Sequence, residues 1–356
     1  MAAPFQNYDG GTFLSDLVTR PEFLSYIQEG IYEQCKFIQS GALVRNSALD
    51  AHSGGVKVQV PFFRPIDPTE ERIESNDSWG TSGAGYLTPQ KITAAQQVMP
   101  ILHRGFAYAV DDLSKLGTGA DPMAAIRNQL AKAINKLRTR TLVAQLEGIF
   151  GTALAGNSVD MVGAATGTPT EANFLSAASL LRGKACLGER ADELTVLAIH
   201  PNVYFYLQQI GALTFSTSAL STGGSVTWGG GGVGLQSIDT AYFMGMRIVV
   251  DSMLPVDANG ANPDKYTCYL LGSGSLGEGV QQELRLASDR NILSLQDVIQ
   301  CNYHYGFHIM GTKYGGANNP TNAILGTAGS WSLAYTERKM TDVVKITVNT
   351  PYAQNV

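Results

Sequence analysis

The chain has 356 residues, enough for one large domain or two ordinary ones, and 44% of them are hydrophobic, which supports a substantial core. Only 15% are charged, against a typical quarter, and the formal net charge is −5. That balance excludes a basic nucleic-acid-binding footprint, and it suits a large surface covered by contacts with copies of the same chain.

Cys35, Cys186, Cys268 and Cys301 lie far apart without a C-x-x-C, and read as reduced thiols of a cytosolic setting. No basic patch followed by an apolar run marks a signal peptide, and no apolar run approaches the ~18 residues of a membrane span.

Residues 1–51 read as an extended arm with a helical piece, in which Phe23, Ile27, Ile31 and Phe37 recur at roughly helical spacing across Gly30. The character changes at 52. "GGVKVQVPFF" alternates, with Val56, Val58 and Val60 on one face of a strand. An acidic stretch rich in Pro, Gly and Ser follows, and "KITAAQQVMPILHR" resumes extended chain. Residues 52–103 therefore read as a long hairpin with an acidic tip. Such a hairpin is marginal alone and should lie on something else.

The strongest helix is 121–150. Asp121 is a good N-cap and Pro122 suits the first turn. Ile126, Leu130, Ala133, Ile134, Leu137 and Thr141 follow one face, and Lys132, Lys136 and Arg140 form a basic stripe beside it. Leu142, Val143 and Leu146 lie opposite, so the last turns should be covered from two directions. A second helix is expected over 168–188, capped by Thr170, then a buried strand over 193–200 and a helix over 201–213 that starts on Pro201. A glycine-rich loop (221–234), a strand over 246–255 and a strand with a turn over 266–279 follow. The last part, 292–356, is mostly strands, ending in "DVVKITVNT". Helices and strands mix without a regular βαβ rhythm, which argues for an α+β fold.

The chemical motifs are weak. "GGGGVG" (229–234) matches G-x-G-x-x-G but lacks the strand before it and the helix after it that a dinucleotide site needs. Acidic pairs such as Asp111-Asp112 read as solvated charges, and His200 before Pro201 reads as a strand-end hydrogen bonder. "CNYHYGFHIMG" (301–311) places Cys301, His304 and His308 at a metal-like spacing. However, odd positions from Ile299 to Ile309 are apolar or aromatic and even positions are polar or small, which is a half-buried strand. In a strand Cys301 faces away from both histidines, and the two histidines stand ~13 Å apart, too far for one ion. His304 and His308 are then expected on a polar sheet face with a wet or inter-element contact, and only a site borrowing ligands from another strand is left open. No catalytic residue, metal site or cofactor is assigned.

The ordered set of segments is nonetheless specific. An N-terminal arm, a long charged hairpin and a long helix precede "LTVLAIHPNVYFYLQQ", "MGMRIVVDSMLP", "YLLGSGSLGEG" and "ASDRNILSLQDVIQCNYHYGFHIMGTKY". This order resembles the major capsid protein of tailed bacteriophages, with the Hong Kong 97-like fold, over nearly the whole chain. The resemblance implies an N-terminal arm (1–51), an extended loop (52–103), a peripheral domain (104–190 plus 291–356) with spine helix 121–150, and an axial domain (191–290). It implies a structural protein of the virion rather than an enzyme. Such a protein assembles in the host cytoplasm through pentamers and hexamers into an icosahedral shell around double-stranded DNA, which it encloses without specific binding. Met1 stands close to the arm with no long charged prefix, so a separate scaffolding protein is expected, with a portal and a decoration protein as further partners and no membrane. The alternatives are an encapsulin-type shell enclosing cargo enzymes and a soluble metal-dependent enzyme.

Charge supplies an expectation for the contact between copies. Asp67, Glu70, Glu71, Glu74 and Asp77 outweigh Arg64 and Arg72 at the hairpin tip, net −3. The tip of one copy is expected against Lys132, Lys136 and Arg140 of the next. Lys57 and Lys91 flank the loop and Asn349 lies in the last strand, but their spacing establishes no cross-link.

Overall fold

The computed structural model describes residues 35–38, 40–50, 54–68, 70, 90–114, 121–162, 169–216, 240–257, 264–291 and 294–352. The helical reading around Phe23, the glycine-rich 221–234 loop and most of the hairpin tip lie outside these residues.

In chain order, β1 (Leu43–Arg45) precedes the hairpin strands β2 (Lys57–Phe63) and β3 (Ala94–Pro100), and β3 runs almost directly into β4 (Leu102–Asp111). Helix α1 (Pro122–Gly151) leads to β5 (Ser158–Asp160), α2 (Ala177–Ala185), β6 (Leu194–Ile199), α3 (Pro201–Gln209) and β7 (Thr214–Ser216). Then come β8 (Thr240–Phe243), β9 (Met246–Val250), β10 (Val256–Asp257), β11 (Lys265–Gly272) and the long pair β12 (Leu276–Asn291) and β13 (Gln296–Ile309). Short β14 (Thr312–Tyr314), α4 (Asn322–Leu325), β15 (Trp331–Leu333) and β16 (Val343–Val348) complete the described chain.

The strands form three sheets: β1-β12-β13-β4; β5-β16-β11-β6-β9-β8-β7, with β10 added on β11; and β15-β14-β3-β2. The mixture of parallel and antiparallel pairs is that of an α+β fold. The hairpin does not stand alone, because β3 pairs with β14 through Lys313 and Val98 and so joins the body of its own chain.

Alternation explains the central sheet. In β11, Tyr266, Cys268 and Leu270 face a core built with α2 and α3, while Tyr269 and Leu271 face the core under α1. In β16, Val344, Ile346 and Val348 take the first side and Val343 the second. Both faces of this sheet are therefore covered.

Helix α1 starts as its sequence dictates: the Asp121 carboxylate accepts from the Met123 N–H at 3.2 Å, with Pro122 at the first turn. In the first half only Leu130 and Ile134 are buried. Leu137, expected on the apolar face, is 40% exposed, because only a narrow stripe of the helix touches the sheet there. From Thr139 on, the helix is covered from two directions, as the two-sided pattern predicts, and only the edge of Arg140, Glu147 and Gly151 stays exposed. Gln145 is fully buried and its Nε2 donates to the Phe307 carbonyl at 2.8 Å. Thr141 Oγ1 meets the Tyr305 hydroxyl at 3.3 Å. Gly148 lets the backbone of 325 and the Trp331 indole close on the helix: a Cβ there would lie 2.1 Å from the Leu325 carbonyl oxygen.

Other expectations shift by part of an element. Val56 precedes β2 and is exposed. Thr170 caps only a short 3-10 turn, and the α-helix starts after Ser176, whose side chain accepts from Ser179 N. The helix on Pro201 ends at Gln209, and His200 caps it through Nδ1, which accepts from Asn202 N at 3.3 Å. Residues 35–50 are firmly seated. Phe37 is fully buried and stacked near Tyr269, and its N–H donates to Asp251 Oδ2 at 2.9 Å. Leu49 lies on Gly277 and Gly279, where a Cβ at Gly279 would meet Leu49 O at 2.3 Å. Asp50 Oδ1 accepts from Val280 N at 2.7 Å.

The alternation of β13 holds from Ile299 to Tyr305, then both faces become buried. Of the wet or inter-element contact expected for His308, the structure shows the second: His308 is 1% exposed, covered by the β3 strand of the hairpin. Its Nε2–H donates to Gln97 Oε1 at 2.6 Å, and Gly311 N donates to the same oxygen at 3.1 Å. Gln97 Nε2 donates in turn to the Tyr335 hydroxyl at 3.1 Å, so the tautomer of His308 follows from the network. His308 Nδ1 finds no partner among the described residues.

Two outcomes follow. Gly148→Ala should cost about 2–4 kcal/mol in urea unfolding of the isolated subunit, because backbone stands where the methyl would go. Burial lowers both His308 and His200 to about 4. Each stays neutral when folded while the unfolded chain takes up a proton near pH 6.5. Their contribution is complete above that pH and is lost as pH falls from about 6.5 to about 4, roughly 3 kcal/mol per histidine by linkage. Urea midpoints measured over that range should fall accordingly.

Candidate assembly surface

The hairpin presents one face inward and one outward. Val58, Val60 and Phe62 are half-buried, and Phe62 packs edge-on to Tyr335 with ring centroids 5.2 Å apart. Gln59, Pro61 and Phe63 point to solvent. Phe63 is 78% exposed, Ile66 68% and Ile92 59%. Three large apolar side chains thus stand in water on one projecting element, beside exposed Asp67 and Glu70. Glu71, Glu74 and Asp77 lie outside the described residues.

On α1, Lys132 and Arg140 are exposed and Lys136 is half-buried. Gln129, Ala133, Lys136 and Arg140 recur at i, i+4, i+7 and i+11, so the basic stripe continues one flank of the helix. That flank borders a shallow groove of about 230 Å3, where Tyr108 of β4 faces Ala125, Ile126, Leu130 and Ala133. A second groove of about 260 Å3 lies on the other flank, between α1 and the β12–β13 pair. Arg138 pairs there with Glu278, and its guanidinium lies over the rings of Tyr305 (5.7 Å) and Phe307 (5.8 Å). Among the described residues no ion pair joins Asp67 or Glu70 to Lys132 or Arg140.

The lysine and asparagine considered for a cross-link are both engaged. Lys57 Nζ donates to the Gly316 carbonyl at 2.7 Å and lies over the Tyr314 ring. Asn349 is 1% exposed and donates to the Asp264 carbonyl at 2.7 Å. The outward apolar set at 63, 66 and 92 escaped the charge-based reading. Its signal was present as large apolar residues next to Pro and acidic residues at a hairpin tip.

Residues 81–344 match the major capsid protein 13-like (Gp13-like) family. The chain belongs to this major capsid protein family. It is similar to the major capsid protein of Bacillus phage SPP1, with 25% identity over 340 residues covering 92% of this chain and 96% of that one. The capsid of Ralstonia phage GP4 is similar in structure, with a TM-score of 0.59 at 9% identity over 94% of this chain and 97% of that chain. The Cyanophage Pam1 capsid asymmetric unit gives 0.58 at 12% identity over 99% and 100%. The capsid fold thus extends over nearly all of this major capsid protein, which is a structural shell protein and a component of the virion.

Phe63, Ile66 and Ile92 stand in solvent and so contribute little to the packing of their own chain. Phe63→Ser, Ile66→Ser and Ile92→Ser should each change the stability of the isolated subunit by no more than about 0.5 kcal/mol in urea unfolding. A loss of about 2 kcal/mol would show instead that these side chains are packed within their own chain.

Proposed function

We propose that copies of this chain form pentamers and hexamers that close into an icosahedral shell around double-stranded DNA, assembled in the host cytoplasm. The observation that carries the reading is the exposed apolar and acidic end of the hairpin on a chain of capsid fold. Residues 1–51 act as the N-terminal arm and 52–103 as the extended loop lying over a neighbour. Residues 104–190 and 291–356 form the peripheral domain around the spine helix, and 191–290 form the axial domain. β16 and α2 pack into the axial core and tie the two domains together.

The loop of one copy sets Phe63, Ile66 and Ile92 along the α1 flank of the next, and Asp67, Glu70, Glu71 and Glu74 meet Lys132, Lys136 and Arg140. Apolar burial supplies most of the affinity, at roughly 25 cal/mol per Å2 before association costs, and charge sets the register. A net charge of −5 suits a shell that encloses DNA without holding it by sequence. A separate scaffolding protein, a portal and a decoration protein complete the particle, and no catalytic step belongs to the chain. The alternative of a compartment for cargo enzymes draws less support, because the similar proteins named above are phage capsid proteins.

Electron microscopy of the protein expressed alone and with its genomic neighbours tests the reading: closed particles or rings of five and six are expected, with DNA rather than enzyme inside filled particles. Glu70→Lys with Glu71→Lys should impair assembly while the subunit melts as the parent does. Normal shells from that double variant would remove the charge contact from the account.

A further inference from the structure

The sheet β1-β12-β13-β4 has a second face, turned away from α1, whose polar residues the assembly reading does not use. His103 of β4 and His304 of β13 are directly paired across the two strands, with ring centroids 4.2 Å apart and planes inclined by 26°. On the other side of β13, the register of β12 shifts between Val280 and Gln282. Gln281 is the extra residue of that bulge, and bulges re-aim side chains. Its Oε1 lies 3.2 Å from His103 Nε2. Three adjacent strands thus bring two imidazoles and an amide oxygen together. Sequence spacing could not show this, because His103 is some two hundred positions from His304 (~200 from their numbers).

The geometry points to a divalent transition-metal site formed by His103, His304 and Gln281, with water completing the shell. Two imidazole nitrogens on one tetrahedral ion, each at ~2.1 Å, stand ~3.4 Å apart. Rings stacked at 4.2 Å would turn about their own side-chain bonds to bring one nitrogen of each to that separation. Both histidines are half-buried, so the pair is accessible. The strand is also fixed: His103 N donates to Asn319 Oδ1 at 3.0 Å, and Arg104 donates to the same oxygen at 3.1 Å. The ligand types suit Zn2+, Ni2+ and Cu2+, with Cu2+ held most tightly. Arg285 acts on His304, and its positive charge opposes the ion. A bound ion would pin β12, β13 and β4 together near the root of the hairpin.

Zn2+ titrated alone into the full chain, followed by calorimetry at pH 7.5, tests the site. One ion per chain is expected. His103→Gln and His304→Gln should each weaken binding tenfold or more, Gln281→Ala a few-fold, and Arg285→Gln should tighten it a few-fold. Arg285 is exposed, so its variant reports even where a histidine variant folds poorly. Cu2+ bound to the parent should show imidazole nitrogen couplings in its paramagnetic resonance spectrum, and these should fall away with either histidine. Unchanged Zn2+ binding in the double variant His103→Gln, His304→Gln would overturn the site. So would weaker Zn2+ binding in Arg285→Gln, or a parent that binds inorganic phosphate and no zinc.

Discussion

The C-terminal half of α1 is packed on all but one edge, and all three sheets contribute to the core around it. A helix of 30 residues is about 45 Å long, and its last turns are buried except along the edge of Arg140, Glu147 and Gly151. One side meets β13 through the Gln145 amide on the Phe307 carbonyl. Another meets the segment around α4 and β15, admitted by Gly148. A buried amide that lost its partner would cost a desolvation penalty, so position and register of helix and strand are fixed together. The helix can serve as a spine only because its first half does the opposite. That half touches a single sheet along a narrow stripe and leaves grooves and charges outside.

The same division separates rigid from presented parts. The central sheet buries both faces by strict alternation, so a one-residue slip in β11 or β16 would exchange the contents of two cores. The hairpin is anchored at its root, where Gln97 shares its oxygen between His308 and Gly311, and where Lys57 reaches the Gly316 carbonyl. Beyond the root, Phe63, Ile66 and Ile92 stand exposed to solvent.

Local chemistry was legible wherever one element contains its own cause. The Asp121–Pro122 start, the doubled apolar pattern after Thr139 and the alternation from Ile299 to Tyr305 all came from neighbours along the chain. Thr170 misled because a capping residue can close a 3-10 turn as well as an α-helix, and Ser176 offered a second cap six residues on. Which element would cover His308 was not legible, because its partner Gln97 sits in β3, ~200 residues earlier in the chain.

The sequence by itself determined the class of fold, the long helix and the acidic balance of the 64–77 stretch, while the order of segments resembled a known capsid family. The first three rest on periodicity, capping and charge, which act over a few residues. Tertiary structure alone decided which histidines meet, which lysine and asparagine are occupied, and where the helix must carry glycine. Those depend on strands and helices brought together from distant parts of the chain, and pairing across such distances leaves no periodic trace in either partner.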